Sequence, residues 1–518
     1  MNRRLTTRVP RTAPPQEATS AEDAILQSQG VTPILSRRMT ARAAVTGPFN
    51  IISVPTGLVG TLGLGMNAGG PAGMWWAWIG VSVCTMVVGI VLGEMASAMP
   101  TAAALYQWTY QLAEPERSSR DSHRVGWLNF FGLAGGVASV CYASAVSLQF
   151  LIAMQWPSYT ATPDRTLLIT GGVLIFSGLV NTLTIGAVSK VNQAAAYCII
   201  GGIIFFVVVL VAIPHHHQSL AFVFTHTVNQ TGLTGSWSGP FGIVLAGGCA
   251  LYTYCGYDMA AHTAEETLGA SKTVPAAITK AIFVSAICGA IMIAALMYAV
   301  QDYAKESGSG SPAAQLFEDA LGSSWAKVAL AVALVIQLFC SVAVTTGASR
   351  QWYAFSGRNN SMIGAKWWAY VSPTWKVPVG AVWFSVAFGG LLCLPGLWNG
   401  TVLNAVISIN FVGLLTAYMI PIYLRLRRPE RFSHGPWQRR HSMLYAKIAL
   451  VWTVIGTLIG ISPQYFPITH DNFNYAGPAL LAVLVLEEVL WLWRGRAYQP
   501  PAPMAAAEAD DLAADLAG

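Results

Sequence analysis

Charge is what this chain has least of. Only 10% of its 518 residues are Asp, Glu, Lys or Arg, while 54% are hydrophobic and mean hydropathy is +0.51. So little charge cannot cover a water-soluble domain of this length. No basic patch is interleaved with aromatics, so the formal +6 is no sign of nucleic-acid binding. All eight cysteines (Cys84, Cys141, Cys198, Cys249, Cys255, Cys288, Cys340, Cys393) lie in apolar runs, where a thiol behaves as a small hydrophobe. Neither a disulfide framework nor metal-ligand spacing is present, and no cofactor is implied. The chain also lacks an HExxH motif and any nucleophile with a nearby base, which argues against a membrane enzyme. Repeated filter residues are missing too, which argues against a channel. His215 to His217 form a short tract without a cysteine or carboxylate beside it and read as a hydrated loop.

What remains is apolar length. Twelve runs stand out, near 43 to 65, 72 to 98, 126 to 156, 166 to 185, 193 to 213, 240 to 263, 276 to 300, 325 to 348, 377 to 396, 401 to 424, 445 to 463 and 475 to 493. A helix needs roughly 20 apolar residues to cross a bilayer, so the expectation is an all-α polytopic membrane protein of twelve spans. Residues 1–41 (Arg, Thr and Pro) and 497–518 (Ala, Pro and Asp) have no face to bury and read as disordered tails flanking a 42–496 domain of twelve helices. With the N-terminus inside, 26 of the 29 Lys and Arg fall on one side of the membrane. The positive-inside rule then places both termini in the cytoplasm, in a plasma (inner) membrane.

Two runs are interrupted. The first carries Ser53, Val54, Pro55, Thr56 and Gly57 near its middle; proline removes a ladder hydrogen bond and glycine lets the backbone leave helical geometry. The sixth carries Tyr254, Cys255, Gly256, Tyr257 and Asp258. Lying an odd number of spans apart, they enter from opposite sides, as two inverted repeats of five helices require. The repeats would be 42–213 and 240–426, with two further helices in 444–496. A half-helix that restarts after Pro55 turns amides toward the gap and suits a carboxylate, while one that stops at Tyr254 leaves carbonyls that suit an ammonium group. The two together read as a site for a zwitterionic amino acid or another organic amine. Tyr254 and Tyr257 offer aromatic faces to a cation, against which stands plain helix packing. Asp258 is either a counter-charge or, the preferred reading, a cap on the following half-helix.

Other polar groups are weaker. Glu94, Glu265 and Glu266 read as members of structural pairs at an inner gate, with Arg350 or Lys272 as partners. Tyr142 either closes over a central ligand or packs between helices. Thr345 and Thr346 are candidate hydroxyl ligands for sodium, though threonines commonly bond their own helix carbonyls. Gln337, Asn404 and Asn410 read as bridges between helices. Glu487 and Glu488, close to Arg494 and Arg496, read as pairing at the inner boundary.

Four ordered strings carry a family resemblance across roughly residues 40 to 495: NAGGPAGMWWAW, GEMASAMPTAAALYQW, GYDMAAHTAEET followed by VPAAI, and SRQWYAFSGRNN. They resemble the amino acid-polyamine-organocation (APC) permeases, and within these the amino acid/choline group that includes fungal GABA and choline permeases. The resemblance implies the leucine-transporter fold and a secondary transporter working by alternating access. Its substrate would be an amino acid, or alternatively choline, a polyamine or GABA, moved as a symporter with a proton or sodium or as an exchanger. Substrate contacts would come from Ser53 to Gly57 and Tyr254 to Asp258. Two departures stand out. The fifth span has no lysine from Ala194 to Ile213, where some proton-coupled relatives carry one, and the usual twin glycine after Pro100-Thr101 is replaced by Ala102, Ala103 and Ala104.

Overall fold

The computed structural model describes residues 26–27, 30–31, 37–398, 400–470 and 472–500. Among them there is no β-strand; the chain is helical throughout, with a single isolated bridge between Met39 and Thr267. In chain order the helices are α1 (Ala41–Ile52), α2 (Val54–Ala98), α3 (Leu105–Leu112), α4 (Pro115–Gln155), α5 (Pro163–Asn181), α6 (Ile185–Ala212), α7 (Leu220–Thr225), α8 (Ser238–Thr253) and α9 (Met259–His262). There follow α10 (Ala270–Tyr298), α11 (Tyr303–Ser307), α12 (Pro312–Trp352), α13 (Ala365–Trp368), α14 (Val379–Cys393), α15 (Gly400–Arg427), α16 (Ser442–Ile461) and α17 (Ala476–Arg494).

Ten helical runs among the described residues are long and apolar enough to cross a membrane, and α8 is a shorter apolar helix. The first two apolar runs of the sequence fall within one 58-residue stretch, Ala41–Ala98. The backbone leaves helical geometry there at Ser53 (φ 33°, ψ 70°) and again at Gly70 (φ 70°, ψ −170°). Starts are set by local chemistry. Thr40, Thr162 and Thr184 accept from first-turn amides of α1, α5 and α6, and prolines open α4, α5 and α12 where no intrahelical donor is needed.

α2 packs along α8 and α10, and α4 along α12 and α15, so the two interrupted segments lie at the centre of the bundle. α4 crosses α15 at Gly132 and Gly413 with backbones in contact, which small residues alone permit. Outward-facing side chains such as Leu168, Ile204, Val451, Leu481 and Leu492 are apolar and exposed, as contact with lipid demands. Described residues on either side of 42–496 also make contacts with the bundle. Arg38 and Met39 donate backbone hydrogen bonds to Glu266, and Tyr498 is buried with its hydroxyl 2.8 Å from Ser122. Met39 and Tyr498 each supply an apolar body that the packed face takes up. The remainder of the two expected tails lies outside the described residues, apart from 26–27 and 30–31.

Charged groups inside the bundle are paired. Arg425 of α15 donates to Glu94 of α2 at 2.6 Å, and Glu94 also accepts from Ser442 Oγ and the Arg439 amide, each at 2.7 Å. Arg425 and Glu94 are 1% exposed, so the pair joins α2, α15 and the start of α16 in a low-dielectric setting. Removing one member strands the other, at about 3–5 kcal/mol, whereas removing both does not. Arg425→Met is therefore expected to lower the thermal midpoint of the detergent-purified protein well below that of the Glu94→Gln/Arg425→Met double variant. Equal midpoints would show that the pair carries no structural coupling.

Candidate functional site

The first break occupies one residue. α1 ends at Ile52, Ser53 takes a left-handed backbone with its hydroxyl 2.7 Å from Thr56 Oγ1, and α2 restarts at Val54 with proline in its first turn. The second break is wider: α8 ends at Thr253, Tyr254 to Asp258 form a non-helical turn, and α9 is a single helical turn. The two meet side by side. A Cβ on Gly57 would collide with Thr253, and one on Gly256 would lie 2.6 Å from Ile51 Cγ2. Gly256 sits at φ +73°, so glycine serves both the backbone turn and the close approach to α1.

Between the breaks lies a cavity of about 20 Å³, walled by Thr56 and Gly57, by Tyr252, Thr253, Cys255 and Gly256, and by Gly136, Cys340 and Asn410 from α4, α12 and α15. That volume holds about one water. Above it is a vestibule of about 460 Å³ that reaches the loops at 310–312 and 464 and includes Ser139, Tyr142, Gln337 and Gln464. Tyr252 lines both spaces. Neither wall contains an Asp, Glu, Lys, Arg or His among the described residues. Gln337 is 1% exposed, and neither atom of its amide has a hydrogen-bond partner among them.

A strap crosses α2 near the vestibule. Tyr303 of α11 donates to Met66 O at 2.5 Å, and Asn67 donates to Ser307 O at 3.2 Å. Within it, Glu306 Oε1 accepts from the amides of Gln301 and Asp302. Burial is the main cause pushing the Glu306 carboxyl up to about 7, with Asp319 and Asp302 adding to the rise and the two amide bonds opposing it.

The opposite face, to which Met39 and Tyr498 belong, is shut by polar contacts. Asp258 accepts from Asn129 Nδ2 at 3.0 Å and from the Tyr418 hydroxyl at 2.8 Å, and faces His262 Nε2 at 3.3 Å. Glu265 takes two bonds from Arg358, at 2.8 and 2.6 Å, and one from the Ala102 amide at 3.0 Å. Arg358 is presented by a π-helical turn, Tyr353–Arg358, that continues α12. Arg350 donates to Glu266 at 3.1 Å. The loop that supplies Ala102 turns at Ala104, whose φ of +46° and ψ of −120° belong to a region that is essentially glycine's.

Of the residues expected at the site, Thr56, Gly57, Cys255 and Gly256 line the central cavity, and Tyr142 lines the vestibule. Ser53, Val54, Pro55, Tyr254, Tyr257 and Asp258 line neither. Tyr254 points into the α2–α8 contact, where its hydroxyl is 2.8 Å from Ser82 and its ring 5.0 Å from Trp78. Tyr257 packs its ring on Tyr418. Asp258 occupies the cap position of α9 yet makes no capping bond, because Asn129, Tyr418 and His262 engage its oxygens. Thr345 and Thr346 turn from the first break toward α5, bonding Ser177 at 3.2 Å and Asn181 at 2.6 Å. Glu265 and Glu266 meet Arg358 and Arg350, not Lys272, and Glu94 meets Arg425. Tyr252 and Thr253 were open to prediction, lying one helical turn before Gly256. Asn129 was also visible, as a polar lapse in an apolar run, whereas Tyr418 and Arg358 carry no sequence signal of their own.

Comparison with known proteins follows the same lines. Residues 43–485 match a family model described as amino acid permease. The chain is 30% identical over 488 residues to the amino-acid permease BAT1 of Arabidopsis thaliana, spanning 91% of this chain and 94% of the relative. Similarity extends to the GABA-specific permease of Saccharomyces cerevisiae (26% over 507 residues, 92% and 84% of the two chains). It also extends to the choline transporter of the same yeast (24% over 455 residues, 86% and 80%).

Two substitutions test the geometry. Ala104→Gly relieves a backbone conformation that costs a side-chain-bearing residue about 1–3 kcal/mol, so it is expected to raise the thermal midpoint; an unchanged or lower midpoint would contradict the strain. Gly256→Ala forces a Cβ onto a left-handed residue against Ile51 and is expected to lower uptake more than tenfold, equivalent to about 1.4 kcal/mol, in protein that still reaches the membrane. Normal uptake by Gly256→Ala would reject the close approach of the breaks.

Proposed function

As a member of the amino acid permease family the chain is a multi-pass membrane transporter of an amino acid or related amine, not an enzyme, and we propose that it carries a small zwitterion with a neutral, hydrogen-bonding end. The observation that carries this is the composition of the two neighbouring spaces, which share Tyr252. Among the described residues their walls hold no ionised side chain, so the charges of a substrate fall to the backbone ends at the two breaks. The start of α2 suits a carboxylate and the end of α8 an ammonium group. A polyamine, with several cations and no carboxylate to meet them, fits such walls poorly. The unsatisfied amide of Gln337 offers a donor and an acceptor to the far end of the ligand.

Choline is the second reading, favoured by Tyr142 and Tyr252, whose rings can meet a quaternary ammonium without a carboxylate. Counting the Ala41–Ala98 stretch as two crossings and α8 with α9 as another makes twelve spans, arranged as two inverted repeats of five and a final pair. The Lys and Arg distribution supports placing the tail-side face in the cytoplasm and the vestibule outside, in the plasma membrane. With the vestibule open and the opposite face shut, the conformation corresponds to one end of an alternating-access cycle.

A thermal-shift screen of purified protein against glutamine, alanine, 4-aminobutyrate, choline and spermidine tests the substrate class, since a ligand of the folded state raises its stability. Neutral zwitterions are expected to stabilise and spermidine not. Gln337→Leu is expected to weaken glutamine by about tenfold, the worth of one buried hydrogen bond of about 1.5 kcal/mol, while leaving alanine unchanged. Equal loss for both would show that Gln337 does not read the distal group.

A further inference from the structure

The closure beneath the second break contains a buried contact between a carboxyl group and an imidazole. His262 and Asp258 are both fully buried. His262 Nδ1 faces the carbonyl oxygen of Ala102 at 3.0 Å, and its Nε2 faces Asp258 Oδ2 at 3.3 Å. A carbonyl can only accept, so Nδ1 carries the hydrogen. A neutral imidazole has one N–H, which leaves a lone pair on Nε2 aimed at a carboxylate oxygen. The contact becomes a hydrogen bond only if one further proton resides on Nε2 or on Oδ2. With that proton the pair is electrically neutral in either form. Without it, a buried carboxylate faces an imidazole lone pair, and burial makes that arrangement costly.

No neighbour removes the requirement. Asn129 and the Tyr418 hydroxyl already donate to Asp258, and the other ionisable groups of the break that face it are Tyr257 and Cys255. Glu265 and Glu266 are matched by Arg358 and Arg350. Arg42, the charged residue of α1, and Lys272 and Lys280, those of α10, are exposed. On α4, His123 and Arg124 engage Glu487, and on α15 Arg425 engages Glu94.

We propose that Asp258 and His262 form a proton-binding site whose single shared proton holds the tail-side face closed and travels with the substrate. The inference rests on the transport reading above. The site is wired to the central cavity through the chain: Asp258 follows Gly256 by two residues, Asn129 lies one turn from Leu133 on α4, and Tyr418 two turns from Asn410 on α15. On the other side His262 grips Ala102, whose loop is turned by the strained Ala104. Loss of the proton sets Asp258 and His262 against each other and frees that loop. Proton release and opening toward the tail side are then one event.

The test uses proteoliposomes of the full chain in sodium-free buffer, with radiolabelled glutamine and 4-aminobutyrate as probes. Counterflow at equal pH on both sides establishes transport by itself. An acid-outside gradient is expected to raise initial wild-type uptake several-fold, and a protonophore to cancel the increase. His262→Gln and Asp258→Asn each place a non-titrating amide donor in the contact. Both are expected to bring the ratio of uptake with and without the gradient to unity. Both are also expected to equalise the probe-induced melting shift measured in acid and in alkaline buffer, where the wild type differs. Robust counterflow with wild-type uptake indifferent to the gradient overturns the proton site and leaves the transport reading standing. Absence of wild-type counterflow overturns both. Variants that keep the wild-type gradient response overturn the assignment to this pair, and should a variant fail to fold, the wild-type gradient response still decides.

Discussion

An interrupted helix in an apolar interior must find partners for the amides and carbonyls that it releases, since no bulk water is there to take them. The two interrupted segments lie next to each other, and the backbone bonds formed at each are local: Gly57 donates to Ser53 O, and Met259 to Gly256 O. Ser53 gives its backbone a left-handed turn and its hydroxyl to Thr56, while Cys255 and Gly256 complete a turn whose far side rests on α1. The surrounding helices are placed by this arrangement. α4, α12 and α15 each contribute a wall to the gap, and α2 is held along α8.

Charge is segregated accordingly. The vestibule and the cavity are lined without an ionised group among the described residues, whereas carboxylates buried at the opposite face are each matched. Buried pairs contribute little net stability, because desolvation offsets most of their attraction. Their value lies in being all-or-none: Glu265 with Arg358 and the Ala102 amide is a good contact when the face is shut and a set of stranded groups when it is half open. Such contacts favour two discrete states over a continuum, which is what a transporter that must never leak requires. Asp258 and His262 belong to the same surface, with an imidazole where the other pairs have a guanidinium.

Much of this was legible in the chain. Apolar length gave the helical class, and Pro55 and Gly256 located the two breaks, because proline and glycine act on the backbone locally. Membership of Glu94, Glu265 and Glu266 in ion pairs was also readable, since a carboxylate at the end of an apolar run needs a counter-ion. Side-chain direction was not. Tyr254 and Gly256 are two residues apart, yet one lies against Trp78 and the other lines the cavity. In an irregular turn no helical periodicity tells which way a side chain points. Asp258 was assigned to a cap for the same reason, as two of its partners, Asn129 and Tyr418, come from helices more than a hundred residues away in either direction.

The run Ala102 to Ala104 shows the boundary between the two kinds of knowledge. That three alanines follow Pro100 and Thr101 is visible in the letters alone; that Ala104 holds a glycine backbone conformation, with Ala102 joined to both Glu265 and His262, depends on contacts across the fold. By itself the sequence determined what each residue can do alone: partition into lipid, break a helix, carry a charge. Only the tertiary structure decided which lone pairs and protons face one another, because those distances are set by the packing of α4, α9 and α15 and not by spacing along any one of them.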